Sequence, residues 1–293
     1  MTAQVIPSIQ ELRRTLAPIR TASRTIGVVP TMGALHAGHG RLIETARREN
    51  HCVVVSLFVN PIQFDRNDDY DRYPRPLSND VEFCSRLGVD FVFAPSTEEM
   101  YPRPQRTFVE VTEVSEHLCG QFRPGHFRGV ATVVLKLLNI VQPDRAYFGE
   151  KDAQQLAVIR CLAADLNVPV TIVEVPTLRE ADGLALSSRN QHLSPEERRI
   201  APLLSRALET AKDLISSGET RAAGIKREAL RVLNEHPEVR VEYLEIVGSE
   251  DMQPVEEIAG PVRVAGAIWI GKTRLIDNVY CAPLLSRDQR ERY

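Results

Sequence analysis

The sequence lacks the features typical of membrane, secreted and nucleic-acid-binding proteins. Its most apolar helical stretch, 129–141, contains Lys136 and Asn139 and is too short to span a bilayer. The N-terminal residues carry charge where a signal peptide needs an apolar core. The net charge is −3 and the sequence has no long Lys/Arg run, so no electrostatic footprint for nucleic acid is present. We therefore expect a cytoplasmic protein without membrane or nucleic-acid partners.

Cysteine is scarce as well. The five cysteines are odd in number, widely scattered and never arranged as a C-x-x-C pair: Cys52, Cys84, Cys119, Cys161 and Cys281. That pattern argues against a disulfide framework and a zinc ribbon, and it fits a reducing compartment. The sequence also contains no internal repeat and no low-complexity tract.

What remains is the composition of an ordinary soluble globular protein. The 293 residues are 43% hydrophobic and 26% charged, and a chain of this length can bury a large core and form two domains.

In the first part of the chain, predicted strands and helices alternate. The predicted strands are 25–29, 52–59, 90–94, 145–148 and 170–175, and the predicted helices are 6–19, 38–49, 78–87, 130–141 and 153–166. The segment 52–59 is almost continuously apolar, which is typical of a strand buried on both faces of a parallel sheet. The alternation predicts a Rossmann-like, doubly wound α/β domain.

The pattern changes after Pro176. A polar stretch containing a glycine, 177–193, precedes predicted helices at 195–216 and 220–234 and predicted strands at 239–246, 262–270 and 274–280. We therefore expect a first domain over 1–177 and a smaller α+β domain over 178–293.

The most informative stretch joins an apolar strand, 26–30, to a predicted helix through the residues Thr-Met-Gly-Ala-Leu-His-Ala-Gly-His-Gly. Glycines let a ligand approach the backbone, and the helix N-terminus suits phosphate. His36 and His39 can donate hydrogen bonds to phosphate oxygens as charge develops there. Two histidines on a polar loop are the alternative. A zinc site is disfavoured because a tetrahedral site needs three or four ligands.

Two further segments are consistent with a ligand site. Gln63, in Asn-Pro-Ile-Gln-Phe, follows an apolar strand and can both donate to and accept from a substrate with hydroxyl and carboxylate groups. Taken alone, this segment favours the alternative, a loop amide whose hydrogen bonds are satisfied within the protein. The segment Arg-Pro-Gly-His-Phe-Arg-Gly, 123–129, places cations before a predicted helix. It fits a phosphate cradle or a solvated surface loop equally well.

The segment Phe-Gly-Glu-Lys-Asp-Ala-Gln-Gln, 148–155, follows a predicted strand and opens a helix. Gly149 lets a nucleotide approach the backbone, and Lys151 can meet phosphates as a point charge. Asp152 suits the first helical turn, and Gln155 lies one turn beyond Lys151.

A polar loop follows at Asp-Gly-Leu-Ala-Leu-Ser-Ser-Arg-Asn, 182–190. The hydroxyls of Ser187 and Ser188 and the guanidinium of Arg189 can fold over a triphosphate and neutralise a departing pyrophosphate.

Taken in order, these motifs resemble those of the pantothenate synthetases, a family of the H-x-G-H nucleotidyltransferase superfamily, over residues 25–192. The resemblance implies a ligase of pantothenate biosynthesis, acting as a homodimer. Such an enzyme condenses (R)-pantoate with β-alanine at the expense of ATP, through a pantoyl adenylate, and releases AMP and pyrophosphate.

The resemblance also implies residue roles. The catalytic residues would be His36, His39, Lys151, Ser187, Ser188 and Arg189, with His39 favoured as the proton donor. Gln63 and Gln155 would bind pantoate, and Gln63 would also lie near β-alanine. Arg123 and His126 would add positive charge at the mouth. The ATP site would comprise Met32, Gly33, Ala34, Leu35, His36, Ala37, Gly38, His39, Gly149, Glu150, Lys151, Asp152, Leu178, Leu186, Ser187, Ser188 and Arg189.

The next expectations concern the metal ion and two positions at which this sequence departs from the usual pattern of the family. Mg²⁺ is expected with ATP because it bridges nucleotide phosphates while keeping waters. Asp80 is a candidate carboxylate near that ion. Gly40, after the second histidine, is expected to loosen the start of the helix, and Leu186 replaces a methionine, an apolar exchange of small consequence.

Other interpretations remain open at this point. A different H-x-G-H nucleotidyltransferase would adenylylate a phosphate-bearing substrate and need no amine. A class I aminoacyl-tRNA synthetase is disfavoured by length and charge balance. A protein that only senses nucleotides does not need residues that stabilise the charge developing in a transition state. This chain contains such residues, which argues against a sensor.

Overall fold

The structure, a computed structural model, describes residues 2–64 and 67–283. The strands are β1 (Gln4–Ile6), β2 (Ile26–Thr31), β3 (Cys52–Leu57), β4 (Phe91–Phe93), β5 (Arg145–Gly149), β6 (Thr171–Val175), β7 (Val239–Gly248), β8 (Val262–Ile270) and β9 (Thr273–Cys281). The helices are α1 (Ile9–Thr21), α2 (Ala37–Glu49), α3 (Asn67–Arg72), α4 (Leu77–Arg86), α5 (Thr97–Met100), α6 (Cys119–Phe122), α7 (His126–Val141), α8 (Ala153–Asp165), α9 (Pro195–Ile200), α10 (Leu203–Ser216) and α11 (Ala222–Leu233).

The first of two compact units comprises residues 2–112, Arg123–Glu150 and Val158–Leu178. Its six strands are all parallel, in the order β1-β4-β3-β2-β5-β6. The β-branched strands β2 and β3 are almost wholly buried, and Val29, Val53 and Val55 pack with Ile43 of α2 in one apolar core. This confirms the parallel α/β sheet predicted from the sequence.

The order of the strands locates the ligand crevice of this unit. The chain moves outward from β2 to β3 and β4 on one side, and from β5 to β6 on the other. Open α/β sheets bind ligands at such a reversal, outside the carboxyl ends of the strands. The segments in that position begin at Met32, after β2, and at Glu150, after β5.

The second unit comprises Glu113–Phe122, Lys151–Ala157 and residues 179–283. Its antiparallel sheet, β7-β8-β9, packs against α10 and α11 through buried side chains that include Leu204, Leu208, Ile225 and Ile268. A smaller α+β unit is thus confirmed. The boundary at 177/178 stays a prediction, and the second unit also takes in two short earlier segments.

Several element boundaries differ from the predictions. The single helix predicted over 195–216 is wrong: α9 ends at Ile200 and α10 begins at Leu203, because Pro202 cannot donate a helical hydrogen bond. The opening helix starts later than predicted, at Ile9, where the Ser8 hydroxyl accepts from the Glu11 amide at 3.1 Å. The residues before it, Gln4–Ile6, form the parallel strand β1.

None of the helices in the described part of the chain is long and apolar enough to cross a membrane.

Candidate active site

The two histidines of the H-x-G-H segment cap the N-terminus of α2. His36 is the N-cap residue, and its Nδ1 accepts a hydrogen bond from the Gly38 amide at 3.1 Å. His39, three residues on, accepts from the His36 amide through its own Nδ1 at 3.3 Å. The two side chains therefore form a reciprocal capping box, a role normally filled by serine or threonine with glutamate.

This capping fixes the tautomer of both rings. A neutral imidazole carries one proton, and an Nδ1 that accepts from a backbone amide leaves that proton on Nε2. The ring centroids are 4.1 Å apart. His36 and His39 thus each carry an Nε2–H donor near the positive end of a helix dipole, an arrangement suited to phosphate oxygens.

The loop before these histidines has unusual backbone geometry, with φ of +84° at Gly33 and +51° at Ala34. The carboxylate of Asp80 accepts from the Ala34 amide at 2.9 Å and from the Leu35 amide at 2.8 Å. The Asp80 side chain is 4% exposed, and this burial raises its pKa while the two amide bonds act in the opposite direction. Both carboxylate oxygens are therefore engaged with the loop backbone.

Gly40 has a packing role. A Cβ at this position would lie 3.2 Å from the Phe83 ring of α4, so glycine allows α2 and α4 to approach closely. The Gly40 amide donates to the His36 carbonyl at 3.0 Å, and α2 is regular from Ala37 onward. The expected loosening of the helix start is therefore wrong.

Gln63 ends a 3-10 turn, Pro61–Gln63, just beyond β3 and is 8% exposed. The fully buried Asn60 donates through Nδ2 to Gln63 Oε1 at 3.0 Å and to the Gly129 carbonyl at 3.1 Å. The Tyr101 hydroxyl in turn donates to Asn60 Oδ1 at 2.8 Å. Because Asn60 occupies Oε1, Gln63 directs its Nε2 donor towards Met32 Sδ, 3.1 Å away.

Helix α7 packs directly on this turn. A Cβ on Gly129 would lie 2.4 Å from the Ile62 carbonyl oxygen and 2.5 Å from Gln63 Cα. His126 Nδ1 lies 2.8 Å from the Gln63 carbonyl, and Arg123 Nη1 lies 3.4 Å from His126 Nε2. The structure thus places His126 against the backbone of Gln63.

In the second unit, Lys151 lies in the 3-10 turn Glu150–Asp152. Its Nζ is 3.6 Å from the Asp152 carboxylate, and its side chain is 18% exposed. Asn278 of β9 donates to the Lys151 carbonyl at 3.0 Å, and Arg263 donates to Asn278 at 2.8 Å. These hydrogen bonds fix the backbone from which the Lys151 side chain extends.

Two adjacent glutamines at the start of α8 have different environments. Gln154 is buried and bonds three backbone groups, those of Cys119, Val114 and His117. Gln155, the predicted pantoate ligand, is only half-buried. Gln154 is therefore held by the protein backbone, whereas Gln155 is partly exposed and can contact a ligand.

The segment of Ser187, Ser188 and Arg189 is short and locally ordered. The Ser187 hydroxyl accepts from the Arg189 amide at 3.3 Å and caps the 3-10 turn Ser188–His192. Leu186, just before it, is half-buried. Arg179, before the preceding turn, donates to the Gly183 carbonyl at 3.0 Å and pairs with buried Asp277 of β9 at 2.5 and 3.0 Å. Neighbouring residues of β9, Asp277 and Asn278, thus anchor the turn that precedes Ser187 and the Lys151 turn.

Two predicted ATP-site positions lie at the ends of strands in the first unit. Gly149 is the last residue of β5, and a Cβ there would meet no atom within 4 Å, so its backbone is open to close approach. Leu178, three residues past β6, is 39% exposed.

Each unit therefore collects part of the predicted site. The first brings together Met32, His36, His39, Gln63 and Asp80 on the segments that follow β2 and β3, and the second holds Lys151, Gln155 and the 187–189 segment. Sequence reasoning missed the supporting residues Asn60, Tyr101, Arg179, Asp277 and Asn278. Asn60 belongs to a motif that the sequence displays, whereas Tyr101, Asp277 and Asn278 are distant in sequence from the groups they support.

Comparison with known proteins agrees with this arrangement. Residues 4–280 match the family model of pantoate-β-alanine ligase. A pantothenate synthetase from Moorella thermoacetica is 52% identical over 276 residues, covering 94% of this chain and 98% of that protein. The crystal structure of pantothenate synthetase from Thermus thermophilus superposes with a TM-score of 0.89 at 47% identity, over 94% of this chain and 98% of that one.

A third relative carries ligands. The pantoate-β-alanine ligase from Francisella tularensis, described as complexed with β-γ ATP and β-alanine, superposes with a TM-score of 0.77 at 35% identity, over 94% of this chain and 97% of that one. By its sequence over nearly its whole length and by its fold, the chain belongs to the pantoate-β-alanine ligase family.

Proposed function

We propose that this protein condenses (R)-pantoate with β-alanine to form pantothenate, with ATP converted to AMP and pyrophosphate. The observation that carries the proposal is the pair of Nε2–H donors held by reciprocal capping at the start of α2, in a chain of this ligase family. The capping hydrogen bonds hold both rings in place, and preorganised donors of this kind stabilise the charge of a transition state.

In the first half-reaction, a carboxylate oxygen of pantoate attacks the α-phosphorus of ATP. A P–O bond forms to the carboxylate, and the bond to the bridging oxygen breaks, releasing pyrophosphate and leaving pantoyl adenylate. His36 and His39 donate to phosphate oxygens through Nε2, and Lys151 neutralises the charge that develops. Ser187, Ser188 and Arg189 close on the phosphates of the departing group.

In the second half-reaction, the amine of β-alanine attacks the acyl carbon of the adenylate. A C–N bond forms, the C–O bond to AMP breaks, and the proton that the amine releases passes to solvent. Gln63 and Gln155 hold pantoate through both steps, and Gln63 also lies near the amine. Its fixed orientation supports a donor role, because Asn60 already occupies the Gln63 oxygen.

Nucleotide binding is assigned to the segments around these groups. Met32, Gly33, Ala34, Leu35, Ala37 and Gly38 surround the phosphates on one side. Gly149, Glu150 and Asp152 approach the ribose and phosphates, while Leu178 and Leu186 border the adenosine. The positive φ of Gly33 and the open side of Gly149 support close approach of a ligand to the backbone.

The residues that the structure describes do not form a protein-held magnesium site. Both Asp80 oxygens accept backbone amides, and no group of three or more His, Cys, Asp or Glu among the described residues can hold a metal ion. We therefore propose that Mg²⁺ arrives on the ATP phosphates and keeps most of its waters, as this small, tightly hydrated ion commonly does.

The organisation of the protein is proposed from the resemblance to the family. We propose a cytoplasmic homodimer in which a domain over 1–177 binds ATP and pantoate and a domain over 178–293 closes over them. Sedimentation equilibrium tests the dimer, and a monomer at micromolar concentration would refute it.

Product analysis tests the proposed reaction. Purified protein with ATP, pantoate and β-alanine should form pantothenate, AMP and pyrophosphate in equal amounts. Formation of ADP and phosphate would refute the adenylate route. An adenylylated product formed without an amine would indicate a different nucleotidyltransferase.

A further inference from the structure

Asp80 is buried, charged and distant in sequence from the loop it contacts. Its two oxygens accept the consecutive amides of Ala34 and Leu35, 46 and 45 residues earlier in the chain. The side chain comes from the first turn of α4, and its own amide is held by the Pro76 carbonyl at 3.0 Å. A helix of the first unit thus fixes the segment that leads from β2 into His36.

The loop needs such a support because its backbone conformation is costly. Ala34 has φ of +51°, a left-handed conformation in which a Cβ is strained. Gly33, with φ of +84°, has no Cβ, and one built there would lie 2.9 Å from Asp80 Oδ2. The Thr31 hydroxyl fixes the loop on the other side by accepting from the Gly33 amide at 3.1 Å.

The next residue after this pair of amides is His36, whose backbone begins the capping box. The orientation of the loop therefore sets the direction in which α2 starts and where both Nε2–H groups point.

We propose that Asp80 is a positioning residue for adenylyl transfer: its carboxylate holds residues 33–35 in the left-handed turn that aims His36 and His39 at the phosphates of ATP. This inference rests on the proposed function. It also replaces the role suggested by the sequence, that of a carboxylate near Mg²⁺.

A rescue experiment distinguishes the two roles of Asp80. Asp80→Asn keeps the size of the side chain but places an NH₂ group against one backbone amide, so the loop loses a hydrogen bond. Glycine adopts a left-handed backbone conformation without strain, so Ala34→Gly makes the loop less dependent on its hydrogen bonds to Asp80. We expect Asp80→Asn to slow pantoate-dependent ATP–pyrophosphate exchange by at least tenfold, and Ala34→Gly to restore at least threefold in that background. The double variant is compared with Ala34→Gly alone, so that any direct effect of residue 34 on exchange is measured separately.

Asp90→Asn is the matched control. The Asp90 carboxylate also accepts a backbone amide of the first unit, that of Val53 at 2.7 Å, but near the start of β3. This variant should alter thermal stability without a tenfold loss of exchange.

A magnesium titration completes the comparison: the Mg²⁺ concentration for half-maximal exchange should be the same in Asp80→Asn and the wild type. A higher Mg²⁺ requirement without rescue by Ala34→Gly would overturn the proposal, as would full activity in Asp80→Asn.

A second readout does not depend on turnover. Amide hydrogen exchange at Ala34 and Leu35 should be at least tenfold faster in Asp80→Asn, and the ¹⁵N resonances of His36 and His39 should move, with neither change in Asp90→Asn. If the wild type shows no pantoate-dependent exchange, the proposed function fails, and these two signals still decide the positioning role. Unchanged amide protection and unchanged histidine resonances would refute that role.

Discussion

At the residue scale, each histidine of the H-x-G-H segment uses its two ring nitrogens for different tasks. Nδ1 accepts a backbone amide and Nε2 carries the proton. The two tasks can be separated at His39, because asparagine places an oxygen near the Nδ1 position and glutamine places an amide near the Nε2 position. We expect His39→Asn to keep the cap and lose the donor, lowering pantoate-dependent adenylation on the order of a hundredfold with little loss of stability.

His39→Gln should behave in the opposite way. It loses the cap and about 1 kcal/mol of stability, and it retains at least tenfold more activity than the asparagine variant. Urea unfolding and single-turnover adenylation measure the two effects, with His236→Asn, at an exposed site of the second unit, as a control. Equal activity in the two His39 variants would remove the Nε2 donor from the mechanism.

The neighbouring glutamines of α8 give a second prediction at this scale. Gln155→Ala should weaken pantoate binding by roughly 1–3 kcal/mol, because a polar substrate group loses its partner, and should leave ATP binding nearly unchanged. Gln154→Ala should instead lower the free energy of unfolding by a similar roughly 1–3 kcal/mol, since Gln154 bonds three backbone groups. Calorimetric titration with pantoate, in the presence of a non-hydrolysable ATP analogue, and urea unfolding test both. If Gln154→Ala weakened pantoate binding and Gln155→Ala lowered the free energy of unfolding, the roles assigned to the two glutamines would be reversed.

Candidate functional residues can be predicted from the sequence where they lie within a short motif. His36, His39, Gln63 and Lys151 stand in local patterns with glycine or proline, and those patterns indicate a phosphate or substrate site without any tertiary information. The supports of these residues are different. Asp80 reaches the histidine loop across 46 residues, and Asn278 reaches the Lys151 carbonyl across 127. Such pairs exist only after folding, so no local spacing predicts them.

At the element scale, α7 is pressed against the turn that carries Gln63. Gly129→Ala would insert a methyl group 2.4 Å from the Ile62 carbonyl oxygen, and the turn would have to shift. We expect a loss of about 1–3 kcal/mol in unfolding free energy, as for other overpacked sites, with weaker pantoate binding. Calorimetric titration and urea unfolding measure these effects.

Gly224 in α11 is the matched control, because its added Cβ would meet no atom closer than 4.0 Å. Gly224→Ala should stabilise the protein by about 0.5–1 kcal/mol through helix propensity alone. Similar behaviour of the two variants would mean that close packing at Gly129 does not set the Gln63 turn.

A pair of ionic contacts joins α9 to the turn before Ser187. Arg198 donates to Asp182 and to Glu180, each at 2.6 Å, and the hydrogen bond lowers the pKa of Asp182. A carboxyl with a depressed folded-state pKa contributes stability above its unfolded pKa of about 3.9, and loses it as pH falls through the folded value. Because both side chains are partly exposed, the contribution is small.

The measurable consequence is the titration of Asp182 itself. Arg198→Gln should raise the pKa of Asp182 towards the ordinary value, as followed by carboxyl ¹³C NMR. Arg206→Gln, which breaks an exposed pair with Glu235, should leave that pKa unchanged. An unaltered Asp182 titration in Arg198→Gln would contradict the assigned cause.

Periodicity and apolar runs predict the longer elements, whereas the short elements and boundaries depend on contacts. The strand β1 has three residues and pairs with β4, far along the chain, so no local pattern indicates it. Helix α7 begins at His126, four residues before its predicted start, because Gly125 adopts φ of +79° as its N-cap. Periodicity does not reveal the break between α9 and α10, because the apolar period continues across Pro202.

At the scale of the whole molecule, each of the two compact units holds part of the proposed site. The first positions the histidine pair and Gln63 beyond the strands of a parallel sheet, and the second anchors Lys151 and the turn preceding Ser187 to β9. The motifs that identify the family from the sequence end near residue 192, whereas the match to the family model continues to residue 280. The last third of the sequence predicts elements but carries no chemical motif.

The central claim is that the pantoate carboxylate attacks the α-phosphorus of ATP. Isotope transfer tests it most directly, with pantoate carrying ¹⁸O in both carboxylate oxygens and with unlabelled ATP and β-alanine. If pantoyl adenylate forms, mass spectrometry of the products should show one ¹⁸O in AMP, one in the new amide carbonyl of pantothenate, and none in pyrophosphate. Unlabelled AMP, or ¹⁸O in phosphate released with ADP, would contradict this mechanism.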